Sequence, residues 1–183
     1  MSKVYLFFAQ GMEEIEGLTV VDLLRRAKID VTTVSVTGEQ YVIGSHNIEV
    51  KSDILLENVD WSLGDMIVLP GGMPGTLNLE ACTELMKQVD NYVNQGKRVA
   101  AICAAPTILG HRGILKGKRA CCYPGKEDQL DGAKVVYDSV CVDGSIITGR
   151  GLGTAIDFAL AIIEEFESKK LADDIATSVV YSR

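Results

Sequence analysis

Residues 3–9 form a continuous run of β formers, Val4-Tyr5-Leu6-Phe7-Phe8-Ala9 after Lys3, closed by Gln10-Gly11. A run without polar interruption fits a strand buried on both faces. Past Gly11 the apolar positions Ile15, Leu18, Val21, Leu23, Leu24 and Ala27 recur at roughly helical spacing, behind Glu13, Glu14 and Glu16. Acids favour the positive end of a helix, so a helix is predicted to open there. Ile29 to Val36 alternates as a strand, and Tyr41 to Val50 reads as a hairpin or edge segment turning near Gly44 to Asn47. Asp65 to Leu69 predicts a short strand stopped by Pro70-Gly71-Gly72, and Leu77 to Asn94 a helix ended by Gly96. Arg98 to Ile102 is the next strand. Cys103 follows it directly, and Ala104 to Gly110 reads as a short helix. Lys118 to Cys122 and Lys134 to Val142 read as strands, with Asp143-Gly144 turning into Ser145 to Thr148. A glycine loop, Gly149 to Gly153, precedes a strong helix from Thr154 to Phe166; Leu171 to Val180 is either a last helix or an extended tail.

Strands alternating with helices predict an α/β fold, a mostly parallel sheet with helices on both faces. No internal repeat, low-complexity stretch or linker divides the chain, so residues 1–183 are read as a single domain.

Composition narrows the function classes. At 183 residues, 47% hydrophobic and 23% charged, the chain builds a full core without disulfides or metals. A net charge of −7 argues against nucleic acid as a partner, since such proteins carry a basic face. Only Arg25-Arg26 and Lys116 to Arg119 are basic clusters, and both suit solvated surfaces. No apolar stretch approaches the ~20 residues of a membrane helix, so no membrane is expected either. The five cysteines are odd in number, and residues 4–9 are too short for a secretory signal's apolar region. Reduced thiols in the cytoplasm are the expectation.

In open α/β sheets, sites form at the carboxyl ends of the strands. Glu13 to Glu16, Gly71-Gly72 and Cys103 each follow a predicted strand, so they are expected to converge on one cleft. Cys103, in Ala101-Ile102-Cys103-Ala104-Ala105-Pro106, has the form of a nucleophile elbow between strand and helix. A helix N-terminus would lower its thiol pKa; the competing reading is a buried small hydrophobe. Glu16 lies among the apolar positions of its helix, where burial raises a carboxyl pKa and suits it to acid–base work. Glu13 and Glu14 fit the helix dipole alone. Gly71-Gly72 is either a plain turn or a source of N–H donors for an oxyanion. His111 lies too far along its helix from Cys103 for a Cys–His dyad, and His46, in the hairpin, could come to a site from a second subunit; both otherwise suit the surface. Gly149 to Thr154 matches a dinucleotide loop poorly, and adjacent Cys121-Cys122 lack zinc spacing.

Four segments together carry a resemblance: Gly11-Met12-Glu13-Glu14-Ile15-Glu16, Val68-Leu69-Pro70-Gly71-Gly72, Ala101-Ile102-Cys103-Ala104-Ala105-Pro106 and Thr148-Gly149-Arg150-Gly151-Leu152-Gly153-Thr154. In this order the chain resembles the ThiJ/PfpI superfamily, in the branch of the parkinsonism-associated protein deglycase, from Val4 to about Val180. The resemblance implies a flavodoxin-like three-layer sandwich and a homodimer. It maps the reactive cysteine onto Cys103, its hydrogen-bonding glutamate onto Glu16, and the backbone donors onto Gly72 and Ala104. It implies activity without cofactor or metal on a small aldehyde such as methylglyoxal or on a glycated protein, with redox sensing or chaperone behaviour as the alternative. Arg26 keeps its place near the implied interface, where His46 replaces a common arginine. Tyr123 stands where many relatives carry a histidine near the nucleophile. Ala104 stands where protease relatives carry a histidine directly after the cysteine, which argues against proteolysis.

Overall fold

The structure is a computed structural model describing residues 2–182. Its centre is a seven-stranded sheet. The strands are β1 (Lys3–Phe8), β2 (Asp30–Ser35), β5 (Ile54–Leu55), β6 (Met66–Leu69), β7 (Arg98–Ile102), β10 (Val140–Asp143) and β11 (Ile146–Gly149). Their order is β10-β11-β7-β6-β1-β2-β5, parallel throughout except for the β10–β11 pair. The hairpin β3 (Tyr41–Ile43) and β4 (Glu49–Lys51) stands apart, as does the short ladder β8 (Arg119–Ala120) with β9 (Lys134–Val135).

The apolar run of β1 is buried on both faces. Val4, Leu6 and Phe8 pack into one cluster, Tyr5, Phe7 and Ala9 into the other. The first cluster is closed by α1 (Glu14–Arg26), α5 (Ala155–Phe166) and α6 (Lys169–Ser178), through residues such as Leu24, Phe158 and Ala172. The second is closed by α2 (Gly75–Ala81), α3 (Thr83–Asn94) and α4 (Pro106–His111), through Leu79, Val89 and Ile108. Each large side chain so buried contributes roughly 1.5–3 kcal/mol. This is the three-layer α/β sandwich that the alternation predicts.

Three segments differ from the sequence reading, and a fourth settles a choice it left open. The helix expected over 77–94 is two helices, because Cys82 is extended (φ −77°, ψ 94°) between them. Residues 118–122 supply only a two-residue strand: past Ala120, the Cys121 N–H turns to the Thr148 hydroxyl at 3.0 Å instead of a ladder. Residues 134–142 divide into β9 and the start of β10, separated by a bend at Asp138-Ser139. The C-terminal segment resolves as helix α6, whose Ser168 hydroxyl accepts the Leu171 N–H at 3.2 Å, an N-cap. Among the described residues no helix is long and apolar enough to cross a membrane.

Candidate active site

The carboxyl ends of β1, β6 and β7 meet where α1 begins. Cys103 directly follows β7 and adopts φ +65°, the left-handed region that costs a non-glycine residue of order 1–3 kcal/mol. Two backbone bonds hold it there: its N–H donates to the Gly149 carbonyl at 2.9 Å, and its carbonyl accepts the Tyr123 N–H at 2.7 Å. The elbow expected from the sequence is therefore present. The helix is not where it was expected. Helix α4 starts at Pro106 and has only six residues, so Cys103 lies ahead of its first turn.

Glu16 reaches the same point from α1. Its side chain is buried, and its Oε2 accepts the Gly71 N–H at 2.9 Å. A Cβ on Gly71 would lie 2.6 Å from the Cβ of Cys103 and 2.7 Å from Glu16 Oε2. The cysteine, the carboxyl and the glycine turn thus share one small volume. The other oxygen, Oε1, is buried without a nitrogen or oxygen partner. A buried carboxylate oxygen left unsatisfied is costly, so the site favours a proton on Glu16.

Burial is the largest influence on Glu16 and pushes its carboxyl up to about 7; hydrogen bonds with Cys103 and Gly71 pull down, and the Glu13 charge adds to the rise. Burial also leads at Cys103. With the Glu16 charge and its hydrogen bond it pushes the thiol up to about 12, against the Gly72 and Ala104 N–H groups, which pull it down. This overturns the expectation of a thiol acidified by a helix N-terminus, because burial and a neighbouring carboxylate outweigh two backbone donors. The two groups titrate as a pair that holds one negative charge. When the proton sits on Glu16, the carboxylate charge that raises the thiol disappears, while both N–H donors remain on the sulfur.

The remaining sequence candidates fall elsewhere. Arg26 points to Asp22 one turn back, at 3.1 Å on the exposed side of α1, and takes no part in the Cys103 cluster of this chain. His46, on the hairpin turn, bonds Glu14 at 2.9 Å through Nδ1, and its N–H donates to Glu14 at 2.8 Å. His111 bonds Glu80 at 2.7 Å. Glu14 is the residue that sequence reasoning missed. It is buried rather than a solvated helix-end acid, and it pins the hairpin to the first turn of α1, which also carries Glu16. Burial would raise its pKa, but hydrogen bonds from the His46 side chain and from backbone hold it at about 2. Glu14 hydrogen-bonding, in turn, raises the His46 pKa. Glu13, Glu14 and His46 bring three ligand-type atoms within 4.8 Å of one another. An ion there would have to displace the bonds Glu14 already makes with His46. All five cysteines are free; Cys121, Cys122 and Cys141 are buried.

Comparison with known proteins bears on the family and the fold. The DJ-1/PfpI family pattern matches residues 2–165. The chain is 37% identical over 180 residues to Protein DJ-1 homolog B of Arabidopsis thaliana, covering 97% of this chain but 41% of that protein, so it spans less than half of that relative. It is 31% identical over 175 residues to the glutathione-independent glyoxalase DJR-1.2 of Caenorhabditis elegans, covering 95% of this chain and 93% of that one. The solved structure of oxidized Toxoplasma gondii DJ-1 superposes with a TM-score of 0.96 at 36% identity, over 100% of both chains. The chain belongs to the DJ-1/PfpI family.

Proposed function

We propose that this chain is a cofactor-independent, cysteine-dependent enzyme of the glyoxalase or deglycase type, acting on methylglyoxal or on its adducts with proteins. One observation carries the reading: Glu16, buried with an unpartnered oxygen, stands against a cysteine held at φ +65°. A proton-carrying acid beside a nucleophile on an elbow is what aldehyde rearrangement requires.

The reaction runs without an external oxidant. The ionised form of Glu16, present in part at neutral pH because its carboxyl titrates at about 7, takes the thiol proton as Sγ adds to the aldehyde carbon; the carbonyl electron pair moves to oxygen, beside the Gly72 and Ala104 N–H groups. Glu16 returns the proton to that oxygen, giving a hemithioacetal. It then removes the proton from the former aldehyde carbon as the neighbouring carbonyl oxygen takes up a proton, giving an enediol, and delivers a proton to the neighbouring carbon while the first oxygen gives up its own and becomes the carbonyl, so that the sulfur becomes part of a lactate thioester. Water displaces the thiolate, releasing lactate and restoring the thiol. The glyoxalase named among the relatives supports this direction.

A second reading uses the same site without turnover. Two equivalents of peroxide oxidise Cys103 to sulfinate and are reduced to water; the sulfinate, held by Glu16 and the same two N–H groups, reports oxidative stress. The oxidized relative favours it. We also propose a homodimer through α1 and the β3–β4 hairpin, where Ile15, Leu18, Tyr41, Ile43 and Ile48 are exposed on adjoining elements. His46 and Arg26 would lie in or near that contact.

Lactate formed from methylglyoxal by wild type and by Cys103→Ser separates the two readings. The enzyme reading expects turnover that Cys103→Ser abolishes. Equal rates in both proteins, or none in wild type, would sink it.

A further inference from the structure

The mouth of the Cys103 site has one wall that the chemistry above leaves unused. Tyr123 is half exposed, yet its backbone is tied to the nucleophile through the 2.7 Å bond from its N–H to the Cys103 carbonyl. Its own carbonyl accepts the Lys126 N–H at 3.1 Å and the Cys122 thiol at 3.4 Å. The ring therefore stands on a segment fixed from both sides. Where it stands is set by Gly151: a Cβ there would lie 3.4 Å from the ring carbon Cδ2 of Tyr123 and 4.0 Å from Glu16 Oε1. One point of space thus touches both the ring and the unpartnered oxygen. The carboxyl spans the site, with Oε2 on the Gly71 side near Cys103 and Oε1 on the Tyr123 side. A substrate whose aldehyde carbon reaches Sγ carries its other substituent past Oε1, toward the ring. Leu152, the next residue, is also exposed and adds apolar surface to this rim.

Resting on the aldehyde reading above, we propose that Tyr123 is a specificity-determining residue: its ring is a stacking surface that favours 2-oxoaldehydes bearing a flat aromatic substituent over the methyl-substituted one. Aromatic pairs prefer offset-stacked or edge-on contact, and each adds a modest increment beyond simple burial. Bond-making at the sulfur is unchanged. Sγ adds to the aldehyde carbon, and the carbonyl pair moves to oxygen with the proton that Glu16 carries; only the neighbouring substituent differs.

Labelling of Cys103 tests this without turnover. The probes are iodoacetamide and its N-phenyl derivative, each of which forms a C–S bond and releases iodide. Second-order rates at Cys103, read by mass spectrometry of its peptide, are divided by those of N-acetylcysteine to remove intrinsic reactivity. The normalised preference for the phenyl probe is expected to be about two- to tenfold in wild type. Tyr123→Phe keeps it, and Tyr123→Ala returns it to one, while the small probe still labels both. Gly151→Ala introduces a methyl group at an ordinary contact distance from the ring, so the fold accepts it, and it slows the phenyl probe more than the small one. A wild-type preference near one, or one that survives Tyr123→Ala, overturns the proposal. Absence of lactate formation would strike the enzyme reading alone, since the labelling ratio is independent of it.

Discussion

A Cβ placed on Gly71 would stand 2.6 Å from the Cβ of Cys103, closer than real Cβ contacts allow. The turn after β6 is thus a wall of the nucleophile's seat as well as the end of a strand. The carbonyl of Ile102 lies 2.9 Å from the same point, so two of the three nearest atoms, a Cβ and a backbone oxygen, cannot move aside by a side-chain rotation. Gly71→Ala should therefore cost about 1–3 kcal/mol of stability through overpacking. It should also slow labelling of Cys103, since Glu16 Oε2 must shift as well. Urea unfolding and iodoacetamide kinetics check both effects; a fully stable variant with unaltered labelling would mean the site is looser than this geometry.

Burial of Glu16 makes the fold pH-dependent. Its carboxyl titrates at about 7 when folded and near 4.5 in the free chain, so between those values the folded state binds more protons than the unfolded state. Stability contributed by the protonated form is complete below 4.5 and is lost as pH rises through 7. The full difference is roughly 3 kcal/mol. Glu16→Gln cannot ionise, so its stability relative to wild type should rise by that order between pH 4.5 and pH 8. Glu14 and His46 titrate in both proteins and cancel in the comparison. Denaturant unfolding at the two pH values reads the difference; a constant gap would show that Glu16 is ionised in the fold throughout.

Much of this site was legible in the sequence because its parts sit at strand ends. Residues that follow β1, β6 and β7 are brought together by the topology, whatever their distance along the chain. Cys103, Glu16 and Gly71-Gly72 could therefore be found from pattern alone. Direction of the thiol shift could not. It depends on how deeply the sulfur is buried and on α4 starting only at Pro106. Glu14 was hidden for a similar reason: its partners Ser45 and His46 lie on a hairpin whose docking no local pattern encodes. The break at Cys82 was masked because the apolar positions Leu79, Met86 and Val89 keep helical spacing across it.

Exposure and donors together select which thiol oxidises first. Cys121, Cys122 and Cys141 are buried, and Cys82 is half-buried at the junction of α2 and α3. Cys103 is half-buried with Glu16 and two N–H groups around it. Mild peroxide should give sulfinate at Cys103 before the other four, and more slowly or less completely in Glu16→Gln, which lacks the carboxyl proton. Peptide mass spectrometry across a peroxide series decides; oxidation of Cys82 at lower peroxide, with Cys103 still a thiol, would remove the premise of both functional readings.

The central claim is that Cys103 and Glu16 titrate as one coupled pair, in which the Glu16 carboxylate holds the thiol above its ordinary range. The most direct measurement is the rate of iodoacetamide labelling at Cys103 against pH, in wild type and Glu16→Gln. Burial, the Glu16 charge and its hydrogen bond push the thiol up to about 12, so the wild-type rise should come well above the free thiol value. Glu16→Gln removes the charge and leaves the burial, so its midpoint should move to lower pH. A wild-type midpoint near 7, or one that moves to higher pH in Glu16→Gln, would contradict the account, because the carboxylate would then be promoting the thiolate rather than suppressing it.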